Sequence, residues 1–191
     1  MKHFTITAKK SVTVILVMFL LLFAAYKPYE QDIIYPDSLL KHIFILFYFI
    51  VYNTLGMIHE GGHGVCYILH CPEFITAANG TVFQLLFPWL LGFISKKQGN
   101  IFGYFIGLFF LGFSMQYTAW YISTAHEGLH LSAAESFLGI DGYHDFNYIL
   151  STVGLLKFDW LISGIVSAGG YLIMFYACFK MAVSSWLDQS E

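Results

Sequence analysis

The chain has 191 residues, of which 58% are hydrophobic, 19% aromatic and only 11% charged, and its mean hydropathy is +0.66. This composition is unlike that of soluble domains and predicts an integral membrane protein, with room for roughly four to six spans of about 20 residues each. The formal charge of -3, without a basic cluster, argues against a nucleic-acid partner.

Two apolar stretches open the chain. Residues 11–26 follow three lysines and predict a retained transmembrane helix, because the end of the stretch offers a poor small-x-small cleavage site for a signal peptidase. Residues 43–58 carry no charge and continue into "HEGGH", so the second helix is expected to reach His70, where "CP" ends it. We expect one membrane domain over residues 1–191, with a core of residues 39–182 and an additional N-terminal helix.

The next apolar stretch, residues 81–94, is short for a straight span and contains Pro88. It predicts either a short buried helix or a re-entrant element. Cytoplasmic loops usually hold the basic residues of a membrane protein. The lysines therefore favour the re-entrant arrangement, which puts Lys96 and Lys97 on the same side as the N-terminal lysines and Lys180.

Two later stretches are comfortable spans. Residues 100–122 are apolar and contain glycines that offer small faces for helix packing, and residues 160–179 are similar. The longest polar connection, residues 123–159, lies between them. The predicted fold class is therefore all-α: an integral membrane helical bundle of four to five spans with one short or re-entrant element.

The three cysteines, Cys66, Cys71 and Cys178, form neither a C-x-x-C pair nor an even set. A disulfide framework or a cysteine-based zinc site therefore has no support from their spacing. We expect them to be small apolar packing residues.

The stretch "HEGGH" carries the first pattern that predicts chemistry. Residues four apart on a helix share a face, so His59 and His63 present two imidazoles to one point, with Glu60 beside them. This arrangement suits Zn²⁺, which takes three protein ligands in a catalytic site and keeps one position open. Glu60 would be the general base that takes a proton from water. Ionisable side chains at membrane depth are costly, which favours a functional site over interfacial histidines.

A second copy of the pattern, "HEGLH", runs from His126 to His130, just past the end of a predicted span. We expect an interfacial or loop role for it, since no long helix is predicted to hold it rigid. The alternative is that it is the catalytic motif or gives a ligand to a second ion. The polar connection also offers three candidates for the third ligand of the first site: Asp141, His144 and Asp145.

The residues around the first motif resemble the site-2 protease class of intramembrane zinc metalloproteases. In that class H-E-x-x-H lies on a transmembrane helix, a later span opens with G-x-x-x-N, and an aspartate, usually followed by glycine, is the third ligand. Here Gly80 and Gln84 match the second pattern, with glutamine in place of asparagine, and Asp141-Gly142 is an Asp-Gly pair. The resemblance implies that Gln84 positions substrate; a hydrogen bond between helices is the alternative.

The same stretch also looks like a group of small bacterial membrane proteins that pair H-E-x-G-H with G-x-x-x-Q-L-x-x-P and a later H-D-aromatic-x-Y-L. The matching segments here are "HEGGH", "GTVFQLLFP" and "HDFNYI". This resemblance covers about residues 50–160 and implies Asp145 as the third ligand, then His144, then Asp141. A helix-cap pair is the alternative for His144 and Asp145. The resemblance also implies a bacterial cytoplasmic membrane.

These observations favour a membrane-embedded zinc metallopeptidase that hydrolyses peptide bonds at or within the bilayer, with Zn²⁺ bound by His59, His63 and Asp145. Its expected surroundings are lipid, with a membrane protein as substrate or partner subunit. The first alternative is a non-proteolytic metal-binding subunit of a larger membrane complex, which the small size favours. A transporter is the second alternative, although no internal inverted repeat supports it.

Overall fold

The computed structural model describes residues 39–131 and 142–187 and, nearer the N-terminus, residues 13, 15–17 and 19–21. Within these residues, four helices are long and apolar enough to cross a membrane. They are α1 (Leu39–Leu69), α2 (Glu73–Lys97), α3 (Ile101–Ser123) and α5 (Asp159–Leu187). The predicted all-α membrane bundle is therefore confirmed.

Short elements join α3 to α5. A 3-10 turn follows α3, then two short antiparallel strands, a short helix and a second 3-10 turn: Ala125–Glu127, β1 (His130–Leu131), β2 (Gly142–Tyr143), α4 (Asp145–Thr152) and Leu156–Phe158. The short helix α4 begins at Asp145, within the segment "HDFNYI".

The prediction for residues 81–94 is wrong. They form the interior of α2, a continuous helix of 25 residues that is neither short nor re-entrant. The re-entrant arrangement favoured by the lysines is wrong for the same reason, since Lys96 and Lys97 lie a whole helix away from Glu73. Hydropathy misses the first two turns of α2, "EFITAANG", because they contain small and polar residues.

The buried residues of α2 recur at every fourth position: Thr76, Gly80, Gln84, Pro88 and Gly92. Residues four apart lie one above the other on a helix, so these five form a single stripe. The stripe faces α1 near its start and α3 near its end. Helices in a membrane associate through small residues and interhelical hydrogen bonds, and this stripe supplies both.

Helix α3 lies at the centre of the bundle, between α2 and α5. A β-carbon at Gly107 would lie 2.5 Å from the Gly92 Cα on α2, and one at Gly112 would lie 2.6 Å from the Gly170 carbonyl oxygen on α5. The backbones can approach so closely only because glycine stands at these crossings. Phe109 of α3 is completely buried in the resulting core.

The residues described near the N-terminus are helical and pack into the same core. Val17 and Leu20 are buried in a cluster that also holds side chains of α1, α3 and α5, and the rings of Phe19 and Phe47 lie 5.5 Å apart in an edge-on contact. The rest of the predicted helix over residues 11–26 lies outside the described residues. The part that is described belongs to the bundle.

The turn between α1 and α2 corrects the expectation for two cysteines. Cys66 and Cys71 form a disulfide, with their Cα atoms 5.0 Å apart. Helix α1 ends before His70, whose φ of 56° turns the chain back so that Cys71 returns to the last turn of α1. The pairing depends on where the helix ends, which cysteine spacing does not reveal. Cys178 is a buried free thiol, as expected.

Helix α4 is fixed against the end of α3. The His144 side chain caps it by accepting the Asn147 backbone N–H, and the Asn147 side chain donates to the Ala125 carbonyl. The Asp145 backbone N–H donates to the Tyr121 hydroxyl. These contacts hold the first residue of α4, Asp145, inside the bundle.

Candidate metal centre

Two side chains of α1 converge with one from the start of α4. The His59 Nε2 lies 3.0 Å from Asp145 Oδ2 and 3.1 Å from His63 Nε2, and the His63 Nε2 lies 3.3 Å from Asp145 Oδ2. Within the described part of the chain, no other three His, Cys, Asp or Glu side chains meet closely enough to hold a metal ion. The residues predicted to bind zinc are therefore brought together.

The second nitrogen of each imidazole contacts a hydrogen-bond acceptor. His59 Nδ1 lies 3.1 Å from the Gln84 side-chain oxygen, and His63 Nδ1 lies 2.8 Å from the Thr76 carbonyl oxygen. Carbonyl oxygens only accept hydrogen bonds, so in each neutral ring the proton is on Nδ1 and Nε2 presents its lone pair. Both Nε2 atoms lie within 3.3 Å of the Asp145 carboxylate.

Three electron-pair donors thus face one another at 3.0 to 3.3 Å. If two of these groups share a proton, the third still faces a lone pair. A divalent cation can accept an electron pair from all three. Ligands about 2.0 to 2.1 Å from a tetrahedral zinc ion lie about 3.3 Å from one another. The donor types and their spacing therefore fit Zn²⁺.

Gly80 leaves the space beside these donors open. A β-carbon at this position would lie 2.5 Å from His63 Nε2 and 2.7 Å from His59 Nε2. Any side chain here would press on the nitrogens that are proposed to bind metal. The absence of a side chain at Gly80 is therefore a condition for the site.

Asp145 is 9% exposed, and its carboxyl group lies against the imidazoles of His59 and His63. The Tyr121 hydroxyl accepts the backbone N–H of Asp145 and so fixes the start of α4. An ionised aspartate in this position is ready to bind a cation.

Glu60 lies next to His59 on α1 and is half-buried. It is close enough to His63 and Tyr121 to interact electrostatically with both. Its carboxylate is outside the group of converging donors. Its position suits a base beside the site.

The other candidate ligands lie elsewhere. His144 is buried, stacks on the Tyr121 ring at 4.3 Å and contacts the Thr124 hydroxyl through Nε2. It caps α4, which was the alternative interpretation of this residue. Asp141 lies outside the described residues.

The second H-E-x-x-H does not lie on one helix. His126 is in the 3-10 turn after α3, Gly128 has a φ of 138°, and His130 is in β1. His126 pairs with Asp159 at 2.5 Å, while the His130 ring contacts Tyr143. The two imidazoles are therefore not presented to a common point.

Sequence reasoning missed several residues that support the site. The Thr76 carbonyl, Ser114 and Tyr121 each contact a proposed ligand or a residue that holds one. The only sequence feature that could have identified part of this set is the four-residue spacing of Thr76, Gly80 and Gln84.

The fold and the site together define a helical membrane bundle with a buried His-His-Asp cluster. Comparison of the chain with protein-family models, curated proteins and solved structures found no match.

Proposed function

We propose that this protein is a zinc metallopeptidase that hydrolyses peptide bonds at or within a membrane. One observation carries the proposal: two imidazole lone pairs and the Asp145 carboxylate converge at 3.0 to 3.3 Å, with Glu60 adjacent. Two histidines and a carboxylate form a common ligand set of catalytic zinc, and the set leaves a fourth position open.

The proposed chemistry divides between the metal and Glu60. Zinc, when bound by His59, His63 and Asp145, supplies an electron-pair acceptor for oxygen. Glu60 accepts a proton from the water that attacks the peptide carbonyl carbon. It then donates that proton to the amide nitrogen as the carbon–nitrogen bond breaks, which leaves a carboxylic acid and an amine.

The depth of the site supports a substrate in the membrane. His59 lies ten residues before the end of α1, which is about 15 Å at the rise of an α-helix. The cluster therefore lies well inside a helix that is long and apolar enough to span a membrane. The resemblance of "HEGGH" and "GTVFQ" to site-2 proteases supports the same function, and the likeness to small bacterial proteins supports the bacterial cytoplasmic membrane.

Metal analysis of the purified protein, beside a cleavage assay with a panel of single-span membrane substrates, tests the proposal. We expect one zinc per chain in the wild type and in Glu60→Gln, because Glu60 is not a ligand. Cleavage should fall about 10² to 10⁴-fold in the variant, since it lacks the base.

Two results would contradict the proposal. Zinc in both proteins with cleavage in neither would indicate a metal-binding, non-proteolytic subunit. Equal cleavage by both would show that Glu60 is not the base.

A further inference from the structure

We infer that Gln84 is a positioning residue for His59, which it holds in the tautomer that binds metal, and that Ser114 fixes the orientation of the Gln84 amide. The inference rests on the metal-binding part of the proposed function. It gives Gln84 a different role from the substrate contact that the sequence resemblance implies.

Both ends of the Gln84 amide are occupied inside the protein. The oxygen lies 3.1 Å from His59 Nδ1, and the nitrogen donates to the Ser114 hydroxyl at 3.0 Å. The side chain is only 1% exposed. A substrate peptide would have to displace one of these partners to reach it.

Ser114 determines which end of the amide faces His59. Its hydroxyl donates to the Gln84 main-chain carbonyl at 3.4 Å, so its lone pairs are available to the amide nitrogen. Ser114 is itself completely buried on α3. If the amide were reversed, its NH₂ group would face the N–H of His59 Nδ1 and its oxygen would face the lone pairs of the Ser114 oxygen. Both contacts are unfavourable for buried groups.

The amide oxygen therefore keeps the proton of His59 on Nδ1 and directs Nε2 toward His63 and Asp145. Hydrogen bonds to the outer nitrogen of a ligating histidine fix its tautomer and orientation, and their loss typically weakens metal binding by about 10 to 100-fold. His63 receives the same support from the Thr76 main chain, which a side-chain substitution cannot remove. The hydrogen bond between Gln84 and His59 can therefore be removed by substitution, whereas the one between Thr76 and His63 cannot.

The experiment compares the zinc affinity of full-length variants in detergent, measured by competition with a chelator. Gln84→Met preserves the length of the side chain but lacks the acceptor, so zinc affinity should fall about 10 to 100-fold. Gln84→Glu keeps an acceptor and should retain the wild-type affinity or exceed it. Ser114→Ala should weaken zinc binding, because the amide is then free to reverse.

Gln116→Met is the matched control. Gln116 is also a buried glutamine, and its amide bonds to Ser167 on α5. Its replacement removes two hydrogen bonds inside the bundle without touching His59, so zinc affinity should stay at the wild-type value. Spectra of the Co²⁺-substituted proteins add a readout of ligand geometry, which should change in Gln84→Met and not in Gln116→Met.

Failure of the role inferred for Gln84 can be distinguished from failure of the proposed function. Wild-type zinc affinity in Gln84→Met, with only the KM for a peptide substrate changed, would overturn the inference in favour of a substrate contact. If Gln84→Met does not fold, loss of zinc from Gln84→Glu would overturn it. A wild-type protein that binds no zinc would overturn the proposed function as well.

Discussion

Each residue proposed to bind metal is supported by a neighbour from another element. His59 and His63 of α1 contact Gln84 and Thr76 of α2, and Asp145 of α4 contacts Tyr121 of α3. Rigid support of this kind keeps ligands close to their binding geometry before the metal arrives. The site is therefore built by the packing of four helices, not by the HEGGH segment alone.

The two H-E-x-x-H motifs give opposite predictions for zinc binding. His59→Ala, His63→Ala or Asp145→Ala should remove most of the bound zinc, because each deletes one of three ligands. His126→Ala and His130→Ala should keep one zinc per chain, since those rings contact Asp159 and Tyr143. Elemental analysis of the purified variants measures this. Zinc loss from the second pair alone would reverse the assignment.

Gly80 provides a separate test in which no ligand is changed. In Gly80→Ala the new methyl group would lie within 2.5 to 2.8 Å of atoms of the two imidazoles, so we expect a loss of zinc affinity of at least about tenfold. Gly64→Ala is the control, because a β-carbon there meets nothing within 4 Å. Chelator competition measures both variants. Equal zinc affinity in the two would show that Gly80 does not border the metal position.

Sequence reasoning predicted the three side chains that converge, but it predicted few of the residues that support them. His59 and His63 follow from the four-residue helical spacing, and Asp145 from the resemblance. The contacts of Ser114 and the Thr76 carbonyl require the rotation of α2 and α3 relative to α1. No single-sequence pattern encodes that rotation.

At the scale of elements, α2 was the least predictable from the sequence. Its buried stripe consists of threonine, glycine, glutamine and proline, so its burial does not follow an apolar pattern. Lipid covers the apolar faces of such a helix, and small or polar residues mark its protein contacts. Hydropathy located the middle of α2 and missed both its true length and its packing face. The disulfide between Cys66 and Cys71, in the turn that joins α1 to α2, was missed because it depends on the turn at His70.

The crossing of α2 and α3 should be sensitive to a single methyl group. A β-carbon at Gly107 would lie 2.5 Å from Gly92 Cα and 2.7 Å from the Pro88 carbonyl oxygen. Both neighbours are backbone and cannot rotate away, so Gly107→Ala must push the helices apart. We expect a cost of about 1 to 3 kcal/mol in the free energy of unfolding and weaker zinc binding, since α2 carries Gln84.

Gly164→Ala on α5 is the matched control for this crossing, because a β-carbon there meets nothing within 4 Å. Thermal unfolding in detergent, with zinc affinity measured on the same samples, compares the two variants. If Gly107→Ala and Gly164→Ala unfold at the same temperature, the close approach of α2 and α3 is not required for stability.

At the scale of the whole molecule, the bundle is assembled through α3, which contacts α2 on one side and α5 on the other. The described N-terminal residues belong to this core, since Val17 and Leu20 are buried in one cluster with side chains of α1, α3 and α5. Inside a membrane such packing gains little from the exclusion of water, because lipid tails are as apolar as leucine. Its stabilisation comes from close contacts between side chains.

Truncation should affect stability differently at two residues near the N-terminus, Leu20 and Ile15. Leu20 is 3% exposed and Ile15 is 67% exposed. Leu20→Ala should leave a cavity in the core and lower the free energy of unfolding by about 1 to 3 kcal/mol. This cost is near the low end for soluble proteins, because inside a membrane the exclusion of water from apolar surface contributes little. Ile15→Ala exchanges contacts with lipid or detergent and should change it by less than about 0.5 kcal/mol. Unfolding of both variants in mixed micelles measures this difference. If both variants are as stable as the wild type, this segment packs only loosely on the bundle. If both lose the same free energy of unfolding relative to the wild type, Ile15 also lies in a protein contact.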